Sequence, residues 1–155
     1  MKLETTTSKQ VTDIMTRDPV RVTADTTAHE LARVLEANEI SGVPVVDELD
    51  RVIGVISKTD LLRRCVEGPV GSRPGTVLES LAEGLASGGD LDPESLGTVE
   101  EFMSTDPVTA FRDETIGAVA RRMAEERVHR VIVVDEGQHV LGIVTSLDLL
   151  KAFPD

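Results

Sequence analysis

Ala28, Leu31, Ala32 and Leu35 fall at i, i+3, i+4 and i+7, so the chain presents one apolar stripe at the period of an α-helix. Thr27 and Glu30 stand at capping-box spacing where that helix starts. Beyond it, "VPVV" (43–46) and "VIGVI" (52–56) are short β-rich runs joined by "DELD", which predicts a hairpin, and a further helix is predicted from near Thr59. The succession then recurs. Ile116, Val119, Ala120 and Met123 repeat the helical stripe, "VIVV" (131–134) and "VLGIV" (140–144) flank "DEGQ" with Gly137 as the turn-permitting residue, and a last helix is predicted from near Leu147. With the short "DPV" strands ahead of each stripe, the order is strand, helix, strand, strand, helix, twice.

The recurrence is an internal repeat. Shifting the chain against itself by 88 residues aligns 11–65 with 99–153 without a gap and matches 19 of 55 positions. About 55 residues is marginal for an independent core. The expected fold class is therefore α+β, with two βαββα repeats packed sheet to sheet about a pseudo-twofold. Residues 1–10 read as a mobile N-terminus. Residues 66–98 carry seven glycines and read as an insertion with a possible short helix over 76–86, dispensable for folding because both repeats align without it.

Composition narrows the function. Aromatic residues make up 2% of the chain, which argues against base-stacking platforms, and the formal charge of −12 argues against nucleic acid and anionic membrane surfaces as partners. The N-terminus lacks an apolar core of signal-peptide length and no run approaches a membrane span, so the expected location is cytoplasmic. The single cysteine, Cys65, reads as a small buried apolar residue. Three histidines and one cysteine supply no zinc pattern, and neither a P-loop nor a G-x-S-x-G motif occurs, so no catalytic residue, metal or obligatory cofactor is expected.

The candidate chemistry lies where a strand gives way to a helix. Ser57 with Asp60, and Thr145 with Asp148, have the spacing of a helix N-cap and its third residue. That spacing fits two readings. One is a pair of capping boxes with Asp in place of Glu. The other is a ribose phosphate site, in which helix N–H groups and a hydroxyl meet phosphate while the acid accepts hydrogen bonds from vicinal hydroxyls. His129 and Arg130 open the middle strand of the second repeat and could grip phosphate, whereas the first repeat has Ser41 and Gly42 there.

The ordered set "MTRDPV" or "MSTDPV", "GVPVVD" or "RVIVVD", and "GVISKTD" or "GIVTSLD" resembles tandem cystathionine-β-synthase (CBS) domains, the pair also called a Bateman module. The second repeat is similar to the nucleotide-binding repeats of AMP-activated kinase gamma subunits. The resemblance implies two clefts that bind an adenosyl ligand: AMP, ADP, ATP or S-adenosylmethionine. Asp148, Thr145, His129, Arg130 and Ile143 would line one, with Ile40, Ser41, Val20 and Thr16 on the adenine side. The other would use Asp60, Ser57 and Thr59, with Ser104, Val108, Val128 and His129 opposite. It further implies a regulatory homodimer that senses a metabolite, with an unidentified regulated protein as a possible partner. The competing reading is a ligand-free scaffold for dimerisation or for docking to an enzyme or transporter.

Overall fold

The computed structural model describes residues 9–68 and 96–152. Its elements are β1 (Thr16–Arg17), β2 (Val22–Thr23), α1 (Ala28–Ala37), β3 (Gly42–Val46), β4 (Val52–Ser57), α2 (Lys58–Glu67), β5 (Thr109–Phe111), α3 (Ile116–Glu126), β6 (Arg130–Val134), β7 (Val140–Thr145) and α4 (Ser146–Ala152). The described residues hold two sheets and four helices in the order read from the sequence, with two differences: an extra strand, β1, opens the first repeat, and the strands ahead of α1 and α3 are β2 and β5, which follow the "DPV" triplets rather than containing them. The predicted stripes are the buried faces: Ala28, Leu31 and Leu35 on α1, and Ile116, Val119 and Met123 on α3. The capping box at Thr27 forms, with Thr27 N–H donating to Glu30 Oε2 and Glu30 N–H to Thr27 Oγ1, both at 3.1 Å. The predicted helix of 76–86 lies outside the described residues.

The chain divides into two compact units that are not continuous in sequence. One comprises Met1–Val20, Asp47–Ile53 and Asp106–Asp155; the other comprises Arg21–Val46 and Gly54–Thr105. We call them the repeat-2 unit and the repeat-1 unit after the repeat that supplies most of each. Every repeat thus gives its leading segment to the unit built on the other.

In the repeat-2 unit the sheet order is β1-β7-β6-β5. β1 runs antiparallel to β7, with Thr16 opposite Ile143. Just ahead of β1, Val11 is fully buried among Ala110, Ile116, Val119, Val131, Val133 and Val144. Lys9 and Gln10, expected to be mobile, are fixed here: Ile116 N–H donates to Lys9 O at 2.7 Å, and Gln10 bridges to Thr115. Gly142 makes room for this segment, since a Cβ there would lie 2.9 Å from Thr16 O.

The repeat-1 unit repeats the device. Its sheet is β2-β3-β4, and Ser104 bridges to Val55 as Thr16 does to Ile143. Val99 is fully buried in the same unit as Leu31, Leu35, Val43, Val45 and Ile56. Gly54 meets the same crowding as Gly142: a Cβ would sit 2.7 Å from Ser104 O. One difference has a simple cause. Ile132 donates to Val108 O at 3.1 Å, whereas its counterpart Pro44 has no N–H. β2 accordingly pairs with β3 only at Val22 and Thr23, one residue fewer than β5 with β6.

The "VVDE" repeats are turn chemistry. Asp47 Oδ1 accepts from Leu49 N–H and Arg51 N–H, and Asp135 Oδ1 from Gly137 N–H and His139 N–H, all at 2.9 Å. These backbone donors, Arg51 first for Asp47 and His139 first for Asp135, hold both carboxyls below the usual aspartate range. The left-handed residues of the turns are Asp50 (φ 62°) and Gln138 (φ 67°), not Gly137. The ends of the glycine-rich insertion are also structured: α2 runs to Glu67, Gly68 N–H donates to Arg64 O at 2.8 Å, and Gly97 O accepts from Ala28 N–H at 3.0 Å. A deletion that spares the fold therefore has to leave 66–68 and 96–98 in place.

Two outcomes test this account. Gly142→Ala should destabilise the repeat-2 unit by about 1–3 kcal/mol through overpacking against β1, and Val11→Ala by a similar amount through a cavity, both read by chemical denaturation. The acid limb of stability should also respond to one pair. Arg122 bonds Glu114 through both terminal nitrogens, and that contact, ahead of the Phe111 N–H, holds the Glu114 carboxyl below the usual glutamate range against the opposing effect of burial. A lowered value means that the contribution is full above the ordinary value of about 4.3 and is lost as the pH falls through the lowered one. Glu114→Gln should therefore lower the melting temperature at neutral pH and flatten its fall in that acid window.

Candidate functional site

β7 delivers Thr145 to the first turn of α4. There Asp148 Oδ2 accepts from Thr145 N–H at 2.8 Å and from Thr145 Oγ1 at 3.0 Å, while Asp148 N–H donates to Thr145 Oγ1 at 3.2 Å. The short aspartate reaches the N-cap as the usual glutamate would. Both bonds that the carboxylate accepts use Oδ2. The β6–β7 ladder then sets Arg130 opposite Thr145, and His129 O accepts from Ser146 N–H at 2.9 Å. His129, Arg130, Thr145 and Asp148 thus share one end of the sheet. His129 is exposed; Thr145, Asp148 and Arg130 are half-buried.

The same unit holds Thr16, Val20 and Ile143. Thr16 and Val20 are exposed; Ile143, between Thr16 and Ile132 in the sheet, is 8% exposed and serves the core more than a surface. Val108 and Val128 are partly buried against the core of this unit. Ile40 and Ser41, read from the sequence as partners of Asp148, belong to the repeat-1 unit.

In the repeat-1 unit Ser57 and Asp60 reproduce the cap. Asp60 Oδ2 accepts from Ser57 N–H at 2.8 Å and Ser57 Oγ at 2.9 Å, and Asp60 N–H donates to Ser57 Oγ at 3.2 Å. Here the second oxygen is engaged too: Arg63 Nη1 lies 3.7 Å from Asp60 Oδ1. Thr59 is exposed on the first turn of α2, and Ser104 is exposed on the segment bridged to β4.

No basic residue of this unit was expected at the site from the sequence, yet one is present. Lys58, directly after Ser57, donates its N–H to Ser41 O at 2.8 Å, and its side chain joins Ser41, Ile40, Leu61 and Leu62 in lining a groove of about 800 Å³. The signal was present as "SKTD", where lysine stands at the position of Ser146 in the other repeat. Cys65 is half-buried rather than buried, and desolvation pushes its thiol up, away from thiolate chemistry at neutral pH. Among the described residues no cluster of three His, Cys, Asp or Glu side chains could hold a metal, and no helix is long and apolar enough to cross a membrane.

A pair of βαββα units, each with an acid and a hydroxyl at a strand-to-helix junction, defines a class of small modules. The CBS domain model matches residues 11–67 and 99–155, and the chain belongs to the CBS domain family. An uncharacterised protein of Methanocaldococcus jannaschii is 30% identical over 160 residues, covering 92% of this chain and 89% of that one. Human 5′-AMP-activated protein kinase subunit gamma-3 is 31% identical over 113 residues, 73% of this chain but 20% of the subunit. The chain likewise spans 23% of the L-aspartate semialdehyde sulfurtransferase of Methanocaldococcus jannaschii, at 29% identity over 143 residues. Among solved structures, the CBS domain pair of protein MJ0100, in complex with 5′-methylthioadenosine and S-adenosyl-L-methionine, superposes with a TM-score of 0.70 at 28% identity, covering 94% of this chain and 95% of that one.

Proposed function

We propose that this chain is a regulatory CBS pair that binds an adenosyl ligand, an adenine nucleotide or S-adenosylmethionine, with Asp148 and Asp60 as its ribose-recognising acids. The observation that carries the reading is the division of labour on Asp148. Oδ2 caps α4, which leaves Oδ1 to accept from vicinal hydroxyls, and Arg130 and His129 stand at the same sheet end to meet phosphate. The adenosyl compounds bound by the MJ0100 pair support the ligand class. Asp60 keeps its cap but has Arg63 at its second oxygen, and Lys58 is the basic group nearest along the chain. The Asp148 site is therefore the tighter one for a phosphorylated adenosine. Ligand binding acts as a population shift between conformations of the module rather than as catalysis.

A thermal-shift panel with AMP, ADP, ATP, S-adenosylmethionine and 5′-methylthioadenosine tests the class. A ligand at a hundredfold excess over its Kd should add about 2.7 kcal/mol of stability. No shift with any of the five would leave the ligand-free scaffold as the better account. Asp148→Asn then tests the residue. It should weaken the tightest event by about tenfold, roughly 1.4 kcal/mol, while the unliganded melting temperature changes little, because the amide oxygen can still accept at the cap. Equal losses in Asp148→Asn and Asp60→Asn would instead make the two sites equivalent.

The assembly we propose is a homodimer. Leu62 and Leu150 occupy matching positions of the repeats and are 61% and 71% exposed, which is costly for helices that stand alone in water. Light scattering at tens of micromolar should report twice the mass of the chain, and Leu62→Glu with Leu150→Glu should return a monomer.

A further inference from the structure

We propose that Arg64 is the positioning residue of the Asp60 site: by clamping residues 96–102 onto α2 it holds Ser104 on β4 opposite Val55, two positions before Ser57. The inference rests on the reading of Asp60 and Ser104 as ligand groups, and it concerns what keeps them together.

Arg64 stands in the last turn of α2, where a basic side chain would ordinarily reach into water, yet it is 6% exposed. Its guanidinium is spent on the segment that returns from the insertion. Nε donates to Leu96 O at 2.9 Å, Nη2 donates to Glu101 Oε1 at 3.1 Å, and Cζ lies over the Phe102 ring, 5.3 Å from its centroid. Gly97 lies close to it: its φ of 82° suits glycine, and a Cβ there would crowd Glu101 Oε2 and come within 2.9 Å of Arg64 Nη2. Glu101 is itself fixed, accepting from Thr98 N–H at 2.6 Å. Two residues past Phe102, Ser104 exchanges backbone hydrogen bonds with Val55, both at 3.0 Å, two positions before Ser57.

The other unit shows what the clamp adds. There the leading segment docks through the same backbone bonds: Ile116 N–H to Lys9 O at 2.7 Å and Val11 N–H to Glu114 O at 2.9 Å match Ala28 N–H to Gly97 O at 3.0 Å and Val99 N–H to Thr26 O at 2.8 Å. The residue in the place of Arg64 is Ala152. Backbone docking is thus common to both sites, and the side-chain clamp belongs to the Asp60 site. A planar fork can bond two acceptors in different directions while stacking on a ring; an ammonium cannot, so lysine should not substitute.

The test uses the full chain with Arg64→Met and Arg64→Lys, at a temperature well below the melt. Hydrogen exchange should accelerate at the amides of 98–104 in both variants and stay unchanged at 9–17. Calorimetry with AMP and with S-adenosylmethionine should show the event that Asp60→Asn weakens also weakened here, and the event that Asp148→Asn weakens left alone. If the segment is docked a tenth of the time, the Asp60 event loses about tenfold in apparent affinity. A general loss of stability would not separate the two events in this way. Accelerated exchange with an unaltered Asp60 event would overturn the positioning role alone, as would unchanged exchange at 98–104 or equal weakening of both events. A wild-type protein that binds neither probe would overturn the ligand reading underneath it.

Discussion

Val11 and Val99 are buried to the last atom, each in a unit whose sheet and helices come mainly from the other repeat. Burying a valine side chain is worth about 1.5–3 kcal/mol, and here it recruits a whole segment: the backbone bonds to Ile116 and Ala28 and the strand pairs at Thr16 and Ser104 follow from it. Gly142 and Gly54 are the complementary half of the bargain, since any side chain at either would push the visiting segment away. Thr16 and Ser104, candidate ligand residues on these segments, reach their sheets only because of the exchange.

The acids at the helix starts show that structural and functional readings of one motif need not compete. A carboxylate has two oxygens, and the cap takes one. Asp148 and Asp60 both give Oδ2 to the N-cap residue, and it is the surroundings of Oδ1 that differ, with Arg63 close to that oxygen of Asp60. Because the carboxylate is tethered by its inner oxygen, its outer oxygen is presented with little rotational freedom, which is the preorganisation that a weak hydroxyl contact needs.

Much of this was legible in the chain. The displacement of 88 residues exposed the repeat, and the stripes at Ala28 and Ile116 located the helices, because periodicity is a local property of sequence. The exchange of segments was not legible: Thr16 finds Ile143 across most of the chain, and nothing local marks such a partner. Leaving the turn to Gly137 followed propensity, but Asp135 and Asp47 organise the backbone so that Gln138 and Asp50 take the left-handed position. Lys58 and Arg64 were not legible in the sequence for one reason. Both sit on a helix whose pattern reads as an exposed charged face, and only the tertiary course of Ser41 and of residues 96–102 gives them work.

The exchanged segments also set an order of events during synthesis. Residues 21–67 can form α1, α2 and their hairpin as soon as they leave the ribosome, but that unit keeps an open edge at β4 until Val99 to Ser104 has been made. Val11 to Arg17 waits longer still, because its partner β7 is translated long after it. Non-local pairing of this kind slows folding and leaves strand edges uncovered in the interval. A nascent chain of this protein therefore passes through a stage in which the repeat-1 unit is nearly built while Val11 to Arg17, already translated, still has no strand to pair with.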